Sequence, residues 1–472
     1  MQTECKREKL EFQPCGPRQV VGEFNGGTIT SDGGLLLLQE VEARRKIIWQ
    51  FAECFTDHRD QGKIEHTVVE LLSQRIFGLA LGYEDLIDHD QLRQDPLLAA
   101  VVGKVDPTGE RRRRPADRGK GLAGKSTLNR MELRSEKPEK DGRYKKIAVS
   151  EEKVDEFFIK VFLQAQTEAP DMLILDVDAT DDQVHGCQEG RFFHGYYGGY
   201  CYLPLYIFCG DFLLSARLRT ADKQPAEGAL LEIERIVKRL REHWPKVRIL
   251  VRGDSGFSRE EILEWCESND VDYLFGQARN KRLEKMLAEE MACAKQQFDA
   301  TGKAARVFSE LRYQTLESWS RDRRVVGKAE YLEKGANPRF VVTSLSPEEF
   351  DARTLYEDLY CARGEMENRI KEQQLELFAD RTSTHFLKSN QLRLWLSSVA
   401  YVLMNELRRL GLEETDMAQS QCKTIRLKLL KIGAQIQVTV RRVVVRLASS
   451  YPFQSLFLTI YQKLRGIEPL RC

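Results

Sequence analysis

The rhythm of apolar residues changes twice along the chain. Between Leu35 and Phe55 they recur every three to four positions, the spacing of one buried helix face. HTVVELLSQRIFGLALGYED and DQLRQDPLLAAVVGK continue that rhythm as two more helices, the second closed by Gly103. Before them, QVVGEFNGGTITSD (19–32) reads as short strands around Gly26 and Gly27. Helices joined by short turns fit a helix-turn-helix DNA-binding unit, although the pattern alone fits generic helical packing better. Residues 150–169 form a further helix, with Ser150 as N-cap and acids in its first turn.

At Asp171 the helical spacing gives way to short apolar runs. DMLILDVDAT, YCYLPLYIFCG and DFLLSARLRT read as three strands, the second apolar nearly throughout and so central. AEGALLEIERIVKRLREHW predicts a helix, KVRILVRGDSGF a strand, SREEILEWCESND a helix and VDYLFGQ a strand. Residues 304–345 turn β-rich again, and from Pro347 a long helical segment runs to about Leu377. NQLRLWLSSVAYVLMNELRRLG follows as a hydrophobic helix. The expected fold is a mixed α/β sheet with a β-rich insertion. The expected divisions are a mainly helical N-terminal DNA-binding region (1–103), a basic linker or arm (104–149), a first core part (150–278), the β-rich insertion (279–346), a second core part with the Glu367 helix (347–411) and a basic C-terminal region (412–472).

Composition narrows the class without naming a function. The 472 residues are 42% hydrophobic and 31% charged, and no run approaches the roughly 18–20 apolar residues that span a bilayer. The opening MQTECKREKLEF has no apolar core of a signal peptide. Eleven cysteines are scattered without a CxxC pair, which fits a reduced, cytoplasmic setting without structural zinc. The net charge of +1 hides a strong segregation. Lys104 to Lys146 carries 15 Lys/Arg against 7 Asp/Glu, including the unbroken run Arg111, Arg112, Arg113 and Arg114. Met417 to Ile467 carries 9 Lys/Arg and no acid. Such stretches fit either basic contact surfaces for DNA or solvated loops.

The acids gather elsewhere. LILDVDATDD (173–182) ends a greasy run in Asp176, Asp178, Asp181 and Asp182. Asp176 and Asp178 are two apart on a strand, so their side chains leave the same face, while Asp181 and Asp182 read as turn residues past its end. Asp254 ends a second apolar strand in ILVRGDSGF, where Gly253 and Gly256 permit a sharp exit. Burying a carboxylate unpaired is costly, so strand-end acids brought together need a cation between them. Carboxylates without His or Cys point to a hard ion, Mg²⁺ or Mn²⁺. Strand-end acids also cap helices and close turns, so spacing alone does not decide. In LYCARGEMENRIKEQQLEL, Tyr360, Arg363, Glu367 and Lys371 fall close to one stripe of a helix. That stripe is either a solvated salt-bridge ladder or a carboxylate ligand bracketed by phosphate-holding cations.

Taken together, DVDAT, RGDSGF and YCARGEMENRIKE resemble the DDE triad of insertion-sequence transposases, in the branch with a Tyr-Arg-Glu-Lys signature and a β-rich insert before the Glu. NGGTITSDGGLLLLQEVE, GRFFHGYYGGYCYLPLY, KGANPRFVVTSLS and FADRTS are similar to the insertion-sequence group thirteen-eighty, so the resemblance runs from about residue 18 to 465. It implies an RNase H-like core in which Asp178, Asp254 and Glu367 hold two Mg²⁺ (or Mn²⁺) ions about 3.5–4 Å apart. The family pattern Asp-x-Thr/Ser fits Asp178-Ala179-Thr180, leaving Asp176 as runner-up. Where the signature places its Lys, this chain has Gln374, and Lys371 is the substitute. The implied activity is cut-and-paste transposition: metal-dependent hydrolysis at terminal inverted repeats, then joining of 3′-OH ends to target DNA. The implied partners are double-stranded DNA and a second copy of the chain. Tyr360, Arg363 and Lys371 would hold the DNA backbone. Trp319 would either stack a flipped base or close the insertion's own core. His185, His194, Tyr196 and Tyr197 reach the site or pack beside it. The rival readings are an RNase H-like nuclease that only cuts and a domesticated DNA-binding relative without catalysis.

Overall fold

The computed structural model describes residues 9–133 and 146–470. Its centre is a nine-stranded mixed sheet whose principal strands, numbered within that sheet, are β1 (Met172–Ala179), β2 (Leu205–Cys209), β3 (Phe212–Arg217), β4 (Arg248–Gly253), β5 (Asp272–Gln277), β6 (Ala305–Tyr313), β7 (Arg323–Leu332) and β8 (Arg339–Thr343). Their spatial order is β3-β2-β1-β4-β5-β8-β7-β6, with the two-residue strand Gly335–Ala336 on β7. β1, β4 and β5 run parallel, and every other neighbouring pair is antiparallel. The β-rich 304–345 segment therefore extends this sheet through β8.

Period-two alternation sorts β1 and β4 into two faces. Leu173, Leu175 and Val177, with Ile249 and Val251, turn to one side. There the helix Ala229–His243 covers them with Ile233, Ile236, Val237 and Leu240, one apolar stripe at helical spacing. The other side carries Ile174 and Leu250 near the strand starts and acids near the ends. Leu355, Tyr356, Leu359 and Tyr360 pack on that apolar part, so the chain from Leu355 onward crosses the acidic face.

A second core surrounds the helix Leu387–Leu407, which is buried on nearly every side. The N-terminal helices Leu35–Arg45, Ile47–Ala52 and Val68–Leu81 pack on it together with β3. Two of its polar groups meet β3: Gln391 Nε2 and Trp395 Nε1 each donate to the Ala216 carbonyl at 3.1 Å. Among the described residues no helix is long and apolar enough to cross a membrane.

Local departures from the predicted elements have physical causes. The helix expected over 35–55 breaks at Lys46, whose φ of 51° is left-handed. The strand expected from Tyr200 to Gly210 divides at Pro204 into Gly199–Tyr202 and β2, because proline brings no ladder N–H. Lys104 to Leu133 do not leave the body as a free arm. Leu122, Leu128 and Met131 are buried, and Gln74 exchanges hydrogen bonds with the Ala123 backbone. At the far end of the expected arm Ile147–Val149 pairs antiparallel with Phe55–Asp57, and residues 134–145 lie outside the described residues. Ile29–Thr30 pairs antiparallel with Ala434–Val438, joining the N-terminal region to the basic C-terminal one.

Candidate active site

Strand register brings the two strand-end acids together. β1 and β4 pair in parallel with Arg252 opposite Asp176 and Gly253 opposite Val177. One residue further on stand Asp178 and Asp254, which line the same cleft at the carboxyl ends of the strands. The third acid arrives on the helix Gly364–Lys371, which lies between a π-helical turn, Glu372–Glu376, and a tight 3₁₀ turn, Cys361–Arg363. Such interruptions re-aim side chains along a helix and recur at functional sites. Here they set Met366 and Ile370 into the core while Glu367 faces the strand ends. Asp178, Asp254, Glu367, Arg363, Lys371 and Gln374 line one cleft of about 710 Å³.

The cleft has the electrostatics of a cation site. Burial pushes the Asp178 carboxyl up to about 7, Arg363 opposes that rise, and the charges of Asp254 and Glu367 add to it. Arg363 stands where the acids need neutralising. Its guanidinium lies 3.9 Å from Asp178 and donates to Glu367 at 2.7 Å. Arg363 thus touches two of the three carboxylates and feels the charge of the third, Asp254, while Lys371 lines the same cleft. The donor set is all oxygen, which fits a hard divalent ion and not a soft one.

Asp176 serves a different partner. Arg252 donates from Nε and Nη2 to both its oxygens, at 2.6 and 2.8 Å, and also to the Leu359 carbonyl. Both side chains are buried. Arg252 thereby ties β1, β4 and the segment leading to Arg363 into one unit. A charged residue inside ILVRGD was the available sign of this pair, since a buried guanidinium requires a buried acid.

The other expected residues fall in several places. Tyr360 is recessed behind the site, its hydroxyl against Gly276: a Cβ at Gly276 would stand 2.7 Å from that hydroxyl and 2.9 Å from the Ser255 nitrogen. Lys371 is exposed on the cleft wall. Gln374 donates to the Asp181 carbonyl at 3.0 Å and to Asp182 Oδ1 at 2.8 Å. Asp182 is no surface turn residue but fully buried, and burial raises its carboxyl to about 8. Trp319 is only 5% exposed, edge-on to Tyr313 at 5.8 Å with the Arg323 guanidinium over its ring. It closes the local core, and stacking a base would require it to leave that packing. Among the run 111–114, Arg112 is spent internally on Glu65, His66 and two carbonyls, whereas Arg111, Arg113 and Arg114 are exposed. His185 is exposed away from the cleft, while His194, Tyr196 and Tyr197 line it.

One further donor group was not anticipated. Ligand atoms of Glu372, Glu376 and Cys422 lie within 4.8 Å of one another. Glu372, however, already holds Arg369 and Arg408, and burial drives the Cys422 thiol well above its ordinary range.

A family model described as Transposase DDE domain group 1 matches residues 12–469. The chain belongs to the DDE transposase domain family. It is therefore an enzyme of the transposase and nuclease kind, in a family that binds DNA and generally uses divalent metal ions. Comparison with curated proteins gave no match.

In this family member the Asp178 shift has a measurable consequence. Its folded value of about 7 lies above the ordinary 3.8. The proton is then bound by both states below about pH 4 and by the folded state alone between about 4 and 7. Stability from this group is full below about pH 4 and is lost as the pH rises through 7. Saturating Mg²⁺ is expected to raise the melting temperature more at about pH 8 than at about pH 5.5, where a proton must first be displaced. Thermal melts at both pH values check this, and an equal Mg²⁺ effect at both would count against Asp178 as a ligand.

Proposed function

We propose that the chain is a DNA transposase that cuts the ends of its own mobile element and joins the freed 3′-OH ends to target DNA. The observation that carries this reading is the convergence of Asp178, Asp254 and Glu367 on one cleft in a chain matched almost end to end by the family. The order β3-β2-β1-β4-β5, three antiparallel strands followed by two parallel to the first, supports an RNase H-like core, with β6, β7 and β8 as the insertion's share of the sheet. The flanking motifs support the group thirteen-eighty branch.

Asp178, Asp254 and Glu367 would hold the two Mg²⁺ or Mn²⁺ ions. Bound there, the ions supply a nucleophile of lowered pKa and charge stabilisation of the leaving oxygen. Arg363, whose guanidinium reaches both Asp178 and Glu367, would hold the scissile phosphate beside them, because a guanidinium matches phosphate in a bidentate way. Lys371 on the cleft wall adds a point charge to the DNA backbone. Two element ends must be held at once, so the DNA-bound form is a homodimer.

The test is incubation of the full chain with Mg²⁺ and a plasmid carrying its gene and flanking DNA. Excised element and joined products are expected. Cutting without joining favours the nuclease reading, and binding without cutting favours a non-catalytic relative.

Exposed basic residues of the 111–114 run would contact phosphates. Each lost contact lowers the slope of log affinity against log salt by about 0.9. Replacing Arg111, Arg113 and Arg114 with Ala is expected to flatten that slope by about 2–3. An unchanged slope in filter binding across salt returns them to a solvated loop.

A further inference from the structure

Immediately after β1 and its Asp178, the chain forms a small three-stranded sheet ordered Asp182–Gln183, Gly199–Tyr202, Phe192–His194. Its hairpin stands beside the carboxylate cleft, with His194, Tyr196 and Tyr197 forming part of the cleft wall. Burial would normally claim so many aromatic rings. Here Phe193 is 60% exposed, Tyr196 86% and Tyr200 49%. Phe193 and Tyr200 are cross-strand partners with ring centroids 5.7 Å apart, and the Arg191 guanidinium covers the Tyr200 ring at 4.7 Å. At the turn, Tyr196 stands edge-on to Tyr197 at 5.0 Å, and Gly198 takes the positive φ of 68° that the tight return requires. From Gly190 to Tyr202 there is no acidic residue, one Arg and one His.

We propose that this aromatic hairpin is a stacking platform for unpaired DNA bases next to the scissile phosphate. This rests on the transposase reading above. Three features of the hairpin select that occupant. Every base presents a π-face, so exposed rings bind single strands with little sequence preference. The hairpin itself carries Arg191 and no acid, which suits a polyanion's approach along it to the carboxylate cleft. Continuity with the cleft places the rings where strands separate when a duplex end is opened for cutting. Trp319, enclosed by Tyr313 and Arg323, is not needed for the role.

The test uses the full chain and two probes, a twenty-nucleotide oligo(dT) and an abasic oligonucleotide of the same length. Stacking is worth about tenfold per base engaged, so wild type is expected to bind oligo(dT) at least about tenfold more tightly than the abasic strand. Phe193→Ala combined with Tyr196→Ala is expected to bring oligo(dT) down to the abasic level and leave abasic binding unchanged. Phe193→Tyr combined with Tyr196→Trp, which keeps the rings, is expected to retain the preference; this separates stacking from misfolding. Equal wild-type binding to both probes, or an unaltered preference in the alanine variant, overturns the proposal. So does a change of oligomeric mass in the alanine variant without loss of the preference, since the hairpin would then be a contact between copies. Parallel incubation of wild type with plasmid and Mg²⁺ tells the two failures apart: absent cleavage indicts the transposase reading, whereas cleavage without a base preference indicts the hairpin alone.

Discussion

Asp178→Asn, Asp254→Asn and Glu367→Gln are each expected to lower DNA cleavage by at least about a thousandfold while DNA binding survives. The three side chains share one cleft at the carboxyl ends of β1 and β4 and beside the Gly364–Lys371 helix. Each change keeps shape and removes a unit charge from a site proposed to hold two divalent cations, whose mutual repulsion is large at short range. Losing several kcal/mol of transition-state stabilisation corresponds to that fall in rate, at about 1.4 kcal/mol per tenfold. Binding should tighten slightly without metal, because carboxylates repel phosphate. Asp178→Asn should also stabilise the metal-free protein at about pH 8, since the charge it removes is one that burial disfavours. Cleavage and gel-shift assays on the same preparations check both halves, and variants that cut normally would remove their residues from the site.

Asp176→Asn is expected to act on the fold, costing about 3–5 kcal/mol of stability. The change leaves the buried Arg252 guanidinium without its counter-ion and weakens the two bonds, at 2.6 and 2.8 Å, that anchor the strand pair. An uncompensated buried charge is the expensive state; removing both partners is not. The double variant Asp176→Leu/Arg252→Met is therefore expected to recover most of the loss. Urea unfolding measures both. Full stability in Asp176→Asn together with lost cleavage would exchange the roles of Asp176 and Asp178.

How much of this was legible in the sequence depends on the range of the interaction. β1, β4 and β5 could be read because their apolar runs and flanking helices are local signals. Placing Asp178 and Asp254 at their ends needed only alternation. The Arg252–Asp176 pair was not read, because it depends on which strand neighbours which. The same holds for Asp182, which is buried and hydrogen-bonded by Gln374 on a segment far along the chain. Trp319 had two readings from its neighbours alone, and only the β6–β7 pairing shows its ring against Tyr313. The basic 104–133 stretch looked linker-like because its buried Leu122, Leu128 and Met131 are sparse.

Divalent metal placement tests the central claim most directly, because the described residues offer a second group, Glu372, Glu376 and Cys422, besides the cleft carboxylates. Mn²⁺ titration followed by electron paramagnetic resonance, with duplex DNA present, would be compared in wild type, Asp254→Asn and Glu376→Gln. The account predicts Mn²⁺ bound by wild type and Glu376→Gln and lost from Asp254→Asn, since Glu372 beside Glu376 is already neutralised by Arg369 and Arg408. Mn²⁺ retained by Asp254→Asn and lost from Glu376→Gln would contradict it.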